Sequence, residues 1–156
     1  MKIRGKKIEG RNSEVIPIIR PSGNIFFIAE AIPNFDQFEK LVKLPKPPEK
    51  ILPGGVKQPD LQNPKYIEKL QEYSQMRSDY VIIASLSSTP DLEWEIVDLI
   101  KPDTWCKYRD ELLSSGLTEL EIMRLITSVS KANSLDDAMI MAARDDFLRG
   151  QALVHG

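Results

Sequence analysis

Residues 63–86 read NPKYIEKLQEYSQMRSDYVIIASL, and this segment determines the architecture of the chain. Asn63 can cap a helix that begins at Pro64, because its side chain can accept hydrogen bonds from the free backbone N–H groups of the first turn. Proline suits the first helical position because it has no backbone N–H that would need a partner. The apolar run at 81–84 predicts that the end of this helix is buried. Three phenols recur at seven-residue spacing along one helix face: Tyr66, Tyr73 and Tyr80. We interpret this stripe as a packing seam rather than a ligand cage.

Downstream of this helix, the sequence carries start and stop signals for further helices. Pro102 begins a helix that should run to about Ser114, and Gly116 is placed to close it because glycine adopts the left-handed conformation freely. Thr118 and Glu121 form a capping box for the next helix.

The last helix is expected to take Ser134 as its cap and to end at Gly150. We therefore predict a mainly α-helical domain over 64–150, containing four to five helices. Residues 151–156 are predicted to be a frayed tail.

Upstream, residues 1–43 are predicted to form a small antiparallel β-meander with one short helix. The β-branched run at 15–19 contains Pro17, which places it at an edge, and the apolar run at 25–28 should return as its partner strand. Residues 34–43 carry apolar side chains at helical spacing, and this face should cover the sheet.

Residues 44–63 are rich in proline, with two glycines and scattered lysines, and connect these two parts as a linker. Proline removes backbone donors and favours extended geometry, so we predict no regular element here. The segment is either a spacer or a docking segment for a partner groove. The fold class predicted for the whole chain is α+β.

The composition excludes several classes of protein. The chain has 156 residues and a net charge of −2, with 42% hydrophobic residues. Its only cysteine, Cys106, cannot form an internal disulfide. Its only histidine is His155, and a single histidine excludes most catalytic pairs and metal sites that depend on histidine. No apolar run approaches the length of a membrane span, and the charged N-terminus does not resemble a signal peptide.

The charge is distributed unevenly along the chain. Residues 1–63 carry 11 basic and 7 acidic side chains, whereas residues 64–156 carry 10 basic and 16 acidic ones. A basic N-terminus can contact nucleic acid, or it can place charges on the outside of a strand and deter aggregation. We expect no nucleic-acid partner, because aromatic side chains for base stacking are not interleaved with the basic ones.

No group of residues predicts catalysis. Four acidic residues surround Trp94 and could hold Mg²⁺ or act as acid and base, but they also suit the start of a short helical segment. Gly54 and Gly55 followed by Lys57 do not form a phosphate-binding loop, and Cys106 has no partner base. We expect a protein that is not an enzyme and that uses no cofactor and no metal. The four acidic residues are Asp91, Glu93, Glu95 and Asp98.

About 90 of the 156 residues, from Asn63 to Leu148, resemble the tail assembly chaperones and small tail-assembly proteins of tailed bacteriophages. The resemblance rests on Asn63-Pro64-x-Tyr66, Glu93-Trp94 with Val97-Asp98, Pro102-x-Thr104-Trp105, Glu111-Leu112, Gly116-Leu117-Thr118 with Glu121, Ala132-Asn133-Ser134-Leu135, and Ala143-Arg144-x-x-Phe147-Leu148. It implies a non-catalytic protein of the host cytoplasm that binds the tape-measure protein and helps recruit tail-tube subunits.

Such a protein would hold an apolar stripe of the tape-measure helix in a groove of its own. Methionine and tyrosine adapt to varied apolar partners, which makes six of them candidate partner-binding residues. Two alternatives stay open: a virion structural or connector protein of the tail or the head–tail junction, and a small regulatory or anti-defence binding protein. Self-association also stays open, and no membrane partner is expected. The six candidates are Tyr66, Tyr73, Met76, Met123, Met139 and Met141.

Overall fold

The computed structural model describes residues 1–135 and 137–155, without the side chains of 152–155. Its α+β architecture agrees with the predicted fold class: a small antiparallel sheet is followed by a mainly helical region. In chain order the elements are β1 (Ser13–Ile18), β2 (Ile25–Glu30), α1 (Asp36–Leu41), β3 (Glu49–Ile51), β4 (Lys57–Pro59), α2 (Pro64–Leu86), a 3₁₀ helix (Pro102–Lys107), α3 (Tyr108–Ser114), α4 (Glu119–Ala132) and α5 (Asp137–His155).

The predicted meander is a two-stranded hairpin in the described residues, with β1 antiparallel to β2. Alternate side chains on each strand are buried against the helices, which follows from the two-residue period of a strand. Pro17 pairs with Phe26 across the hairpin. The Ala31 N–H donates to the Asn12 carbonyl at 2.9 Å, so every second residue of β1 counted from Asn12 is hydrogen-bonded to β2. Pro17 falls between these residues, where a backbone N–H would point to the free edge of the hairpin, so its missing donor costs no hydrogen bond. The buried members are Ile16, Ile18, Phe27 and Ala29.

One core joins the hairpin, α1 and the helices. Phe38 of α1 is fully buried, and its ring centroid lies 5.3 Å from that of Tyr73, 5.6 Å from Tyr80 and 5.9 Å from Trp105. The same cluster of buried residues includes the inner face of the hairpin and the apolar side of α4. Residues before and after the Pro-rich segment therefore stabilise each other directly.

Arg20, just after β1, forms an ion pair that links the β1–β2 hairpin to the start of α4. Its guanidinium donates to both carboxylate oxygens of Glu121 at 2.7 Å and to the Gly116 carbonyl at 3.0 Å. The bonds from Arg20, followed by the bond from the Thr118 backbone, lower the pKa of Glu121 to about 2. This ion pair fixes the position of the sheet relative to the helices.

The Pro-rich segment contains a hairpin, so the prediction that 44–63 has no regular element is wrong. β3 and β4 are antiparallel, with Ile51 opposite Lys57. Gly54 and Gly55 both have positive φ, at 95° and 79°, and allow the tight turn between the strands. Pro59 lies opposite Glu49, and the next N–H, that of Asp60, donates to the Pro48 carbonyl at 2.7 Å. Pro59 therefore stands at a position whose own N–H would point away from β3, so the missing donor costs no ladder bond.

The predicted caps of the central helices are confirmed. The Asn63 side chain accepts from the backbone N–H groups of Lys65 and Tyr66, and Thr118 and Glu121 form the capping box of α4. At the end of α3, the Leu117 N–H donates to the Leu112 carbonyl at 3.2 Å, and Gly116 has φ 107°. This arrangement is a Schellman motif, which explains why glycine stands there.

The segment between α2 and the 3₁₀ helix is not helical, so the prediction of a helical start around Trp94 is wrong. The buried carboxylate of Glu111 organises this segment instead. It accepts from the backbone N–H groups of Glu95 at 2.5 Å, Ile96 at 2.8 Å and Val97 at 3.1 Å. These donors are turned toward a side chain and cannot serve a helix.

Two predictions about the last helix are also wrong. Ser134 has φ 56°, a left-handed conformation, and it follows the end of α4 instead of capping α5. The helix α5 does not end at Gly150 but runs on to His155. Asp136, Gly156 and the side chains of 152–155 lie outside the described residues. The predicted fraying of residues 151–156 stays a prediction.

Candidate partner-binding groove

A groove of about 610 Å³ opens between α1, α2 and α4. Its floor is formed by half-buried apolar side chains of α2 and α4 that touch the core. Three serines lie on the walls, and because serine is short, they leave the floor accessible to another chain. We call this feature the groove. Its lining residues are Phe35, Tyr73, Ser74, Arg77, Ser78, Val81, Ile82, Ile126, Val129, Ser130 and Leu135.

The position of the groove follows from the packing of α2. The side of this helix that carries Tyr80 and Ile83 is buried in the core, and the neighbouring side carries Arg77 and Val81. The end of α4 approaches α2 closely because Asn133 donates to the Ser85 hydroxyl at 2.8 Å. Toward the middle of α2 this side of the helix is open to solvent, since Ser74, Arg77 and Ser78 are exposed.

Arg77 gives the groove a positive charge. Its guanidinium carbon lies 4.0 Å from the centroid of the Phe35 ring, a cation–π contact that holds the side chain at the rim. The other described lining residues are uncharged. An apolar partner with an acidic flank is the chemistry that this lining fits.

Three titratable groups whose pKa is raised by burial lie outside the lining of the groove. Asp79 is two residues from Arg77, a step that turns nearly to the opposite face of a helix. Burial raises the pKa of Asp79, and the bond donated by Gln75 at 3.0 Å opposes this effect only in part. Burial also raises the pKa values of Tyr80 and Tyr108. These groups face the core and do not contribute charge to the groove.

The structure does not gather the six candidate partner-binding residues at one place. Tyr73 lines the groove, whereas Met76 packs against the core and Tyr66 is half-buried near the start of α2. Met123 is exposed on α4. Met139 and Met141 lie on α5 and are also exposed.

The apolar lining that surrounds Tyr73 was not predicted. Val81 and Ile82 belong to the apolar run that the sequence assigns to the core. They are half-buried, because each packs against the core on one side and lines the groove on the other. Ile126 and Leu135 come from α4 and the segment after it. No apolar stripe on α2 could have indicated this lining, because Ser74, Arg77 and Ser78 stand between Tyr73 and Val81 on that side of the helix.

Helix α5 projects from the body. In the described part of the chain it has at most marginal contact with other elements, and none of its residues belongs to the core. Its apolar side chains are open to solvent, with exposed fractions of 50% for Ile140 and 63% for Phe147. Exposed apolar side chains without a covering element are typical of an interaction surface.

The remaining candidate residues are dispersed. Asp91 and the acidic residues after it lie in the irregular segment held by Glu111, and Gly54 and Gly55 turn the β3–β4 hairpin. Cys106 is exposed, and the side chain of His155 lies outside the described residues. Within the described residues, no group of three or more His, Cys, Asp and Glu side chains could hold a metal ion. None of the described helices combines the length and apolar character that a membrane span requires.

Comparison with protein-family models, with curated proteins and with solved structures found no match for this chain.

Proposed function

We propose that this protein is a non-catalytic tail assembly chaperone of a tailed bacteriophage. It holds an apolar stripe of the tape-measure protein in its groove, in the host cytoplasm, until tail-tube subunits assemble around that protein. The observation that carries the proposal is the groove itself, whose apolar floor is left open between α1, α2 and α4. The resemblance of residues 63–148 to such chaperones supplies the identity of the partner.

The physical argument concerns the partner before assembly. A tape-measure protein is a long helix with exposed apolar stripes, and such a stripe aggregates in water unless it is covered. A groove with an apolar floor and serines on its walls accepts a helix by burying the i, i+3, i+4 side chains of one face. Adaptable contacts suit a chaperone, because successive stripes differ in sequence.

The experiment is co-expression with a tape-measure protein from the same phage. The wild-type chain should keep that protein soluble and co-purify with it. Leu135→Asp places a carboxylate in the groove and should weaken binding by at least about tenfold, since a charge must then be buried against apolar side chains. Leu135 is 66% exposed, so its replacement should leave the fold intact.

Leu120→Asp is the matched control. Leu120 is 76% exposed near the start of α4 and does not line the groove. Solubilisation that survives Leu135→Asp, or that is lost equally with Leu120→Asp, contradicts the proposal. Far-UV circular dichroism of both variants confirms that any loss is not caused by unfolding.

A connector role in the virion is the second candidate function. It is favoured by the β3–β4 hairpin, which has at most marginal contact with other described elements and exposes Ile51, Leu52 and Val56. A projecting apolar arm can bind a neighbouring subunit. Pro17 at the free edge of β1 weighs against a variant of this idea in which the hairpin β1–β2 extends a neighbour's sheet. Mass spectrometry of purified particles separates the two functions, because a connector is present at fixed stoichiometry and a chaperone is missing.

A further inference from the structure

The exposed side of α2 continues beyond the groove toward the start of the helix. A second, shallower depression of about 340 Å³ lies there and shares Ser74 and Ser78 with the lining of the groove. The two depressions therefore form one surface along α2 from Ile67 to Ile82, which we call the extended face. The other lining residues of the second depression are Ile67, Leu70, Gln71 and Gln75.

Both depressions lie on the same side of the helix. Ile67 and Val81 stand seven residues before and after Ser74, so each is within about 20° of it around α2 at a step of about 100° per residue. Leu70 lies within about 40° of Ser74. From Ile67 to Ile82 the extended face is about 22 Å long, whereas the groove alone covers about 14 Å of α2.

The groove is open toward the start of α2 and closed toward its end. Its lining covers about 14 Å along α2 but only about 6 Å along α4, from Ile126 to Ser130, so its long axis follows α2. At the other end, Asn133 donates to the Ser85 hydroxyl at 2.8 Å, and this bond brings the end of α4 against α2. A helix held in the groove can therefore lengthen only toward the start of α2, over Ser74.

The apolar side chains on this continuation do not belong to the core. Ile67 is 42% exposed, and Leu70 is half-buried but does not pack against the core of the described residues. Ser74 and Ser78 are short and exposed, so a second helix can approach α2 closely between the two apolar ends of the extended face. An amphipathic helix with a seven-residue repeat matches this face, because Ile67, Ser74 and Val81 recur at the same spacing.

We propose that the helix held in the groove continues over Leu70 and Ile67, so that α2 holds about four turns of one amphipathic helix. This inference rests on the proposed function, and it adds the length and the direction of the bound segment. The bound helix lies alongside α2 and places its larger side chains above Ser74 and Ser78, where α2 leaves room for them. A segment of about 15 residues covers the extended face at 1.5 Å per residue.

The first test is the dissociation rate of complexes purified after co-expression of the full-length chain with the tape-measure protein. Ile67→Asp should speed dissociation by at least about fivefold, because a carboxylate then faces the apolar stripe of the partner. An acidic side chain near the start of α2 suits the helix dipole, so this variant should remain folded. Leu120→Asp is again the matched control, because Leu120 lines neither depression, and it should dissociate as the wild type does.

The outcomes separate this inference from the proposed function. If Leu135→Asp speeds dissociation and Ile67→Asp does not, the bound helix ends with the groove, so the inference is overturned and the proposed function stands. A wild-type chain that binds no tape-measure protein overturns both.

The second test measures the length of the bound helix by photo-crosslinking. A benzophenone is attached at Ile67→Cys or at Ser78→Cys, each in a Cys106→Ser background, and mass spectrometry locates its crosslink on the co-purified partner. The two positions are 11 residues apart on α2, so the partner sites should also be about 11 residues apart, since both helices rise 1.5 Å per residue. Glu72→Cys, exposed on the opposite side of α2, should give no crosslink. A missing crosslink from Ile67→Cys, or partner sites at a clearly different spacing, overturns the inference, and a crosslink from Ser78→Cys alone leaves the proposed function standing.

Discussion

At the scale of single residues, the carboxylate of Glu111 binds backbone N–H groups that a helix or a strand would otherwise pair. It is 6% exposed and accepts three backbone N–H groups that would otherwise be unsatisfied in the segment before the 3₁₀ helix. We expect Glu111→Gln to lower the free energy of unfolding by about 1–3 kcal/mol, because an amide N–H₂ then faces backbone donors. Urea denaturation measures the loss. Glu119→Gln, at an exposed position in the first turn of α4, should change stability by less than about 0.5 kcal/mol, and an equal effect of the two changes would refute this role of Glu111.

Replacing Asp79 should raise the stability of the protein, whereas replacing Glu111 should lower it. Its pKa is raised mainly by burial, so between the ordinary value of 3.8 and the raised one the native state binds more protons than the unfolded state. Stability should therefore fall as pH rises through that window. We expect Asp79→Asn to raise the thermal midpoint at neutral pH and to reduce the dependence on pH, because the amide can still accept from Gln75. Thermal melts at several pH values test this, and an unchanged pH dependence would contradict it.

At the scale of elements, the junction of α4 and α5 contains a strained residue. Ser134 stands at the position after the helix where glycine is usual, with φ 56°. We expect Ser134→Gly to stabilise the chain by roughly 0.5–1 kcal/mol, since glycine adopts this conformation without steric cost. Chemical denaturation measures the gain. Ser115→Gly provides the control, because Ser115 ends α3 with an ordinary φ of −77° and should gain nothing. A destabilised Ser134→Gly variant would show that the serine side chain is needed there.

The boundaries of elements could be predicted wherever the signal is local. Asn63 and the pair Thr118 and Glu121 bind backbone groups within three residues, so their types and spacing alone indicate helix starts. Ser134 misleads because serine is a common cap, and sequence does not reveal that this residue takes a left-handed conformation. The irregular segment around Trp94 was missed because its organising side chain, Glu111, lies 14 to 16 residues further along.

The candidate site was predictable only in part, for the same reason. Tyr73 could be identified from the seven-residue stripe on α2, and it does line the groove. Phe35, Ile126 and Leu135 come from other elements, and their approach depends on how α1 and α4 pack against α2. The β3–β4 hairpin was missed because prolines at its ends disguise a pairing of only three residues in each strand.

At the scale of the whole molecule, the Pro-rich segment does not divide the chain into independent parts. The hairpin β1–β2 contacts both α2 and α4, and the Ile32 N–H donates to the Asn133 side chain at 2.9 Å. Asn133 in turn donates to the Ser85 hydroxyl and so joins the sheet, α4 and α2. The β3–β4 hairpin and α5 lie outside this shared core, and they are the elements free to contact other chains.

The shared core predicts one cooperative unfolding transition for residues on both sides of the Pro-rich segment. Phe38→Ala removes the ring that α1 packs against Tyr73, Tyr80 and Trp105, and it should cost about 3–5 kcal/mol. Far-UV circular dichroism and tryptophan fluorescence should shift together in urea, because the helices lose the same support as Trp105. Phe26→Ala, on the exposed outer face of β2, should cost less than about 1 kcal/mol. If Phe38→Ala leaves the helical transition at its wild-type midpoint, the two parts fold independently, because a shared core cannot lose its central ring without lowering the stability of both.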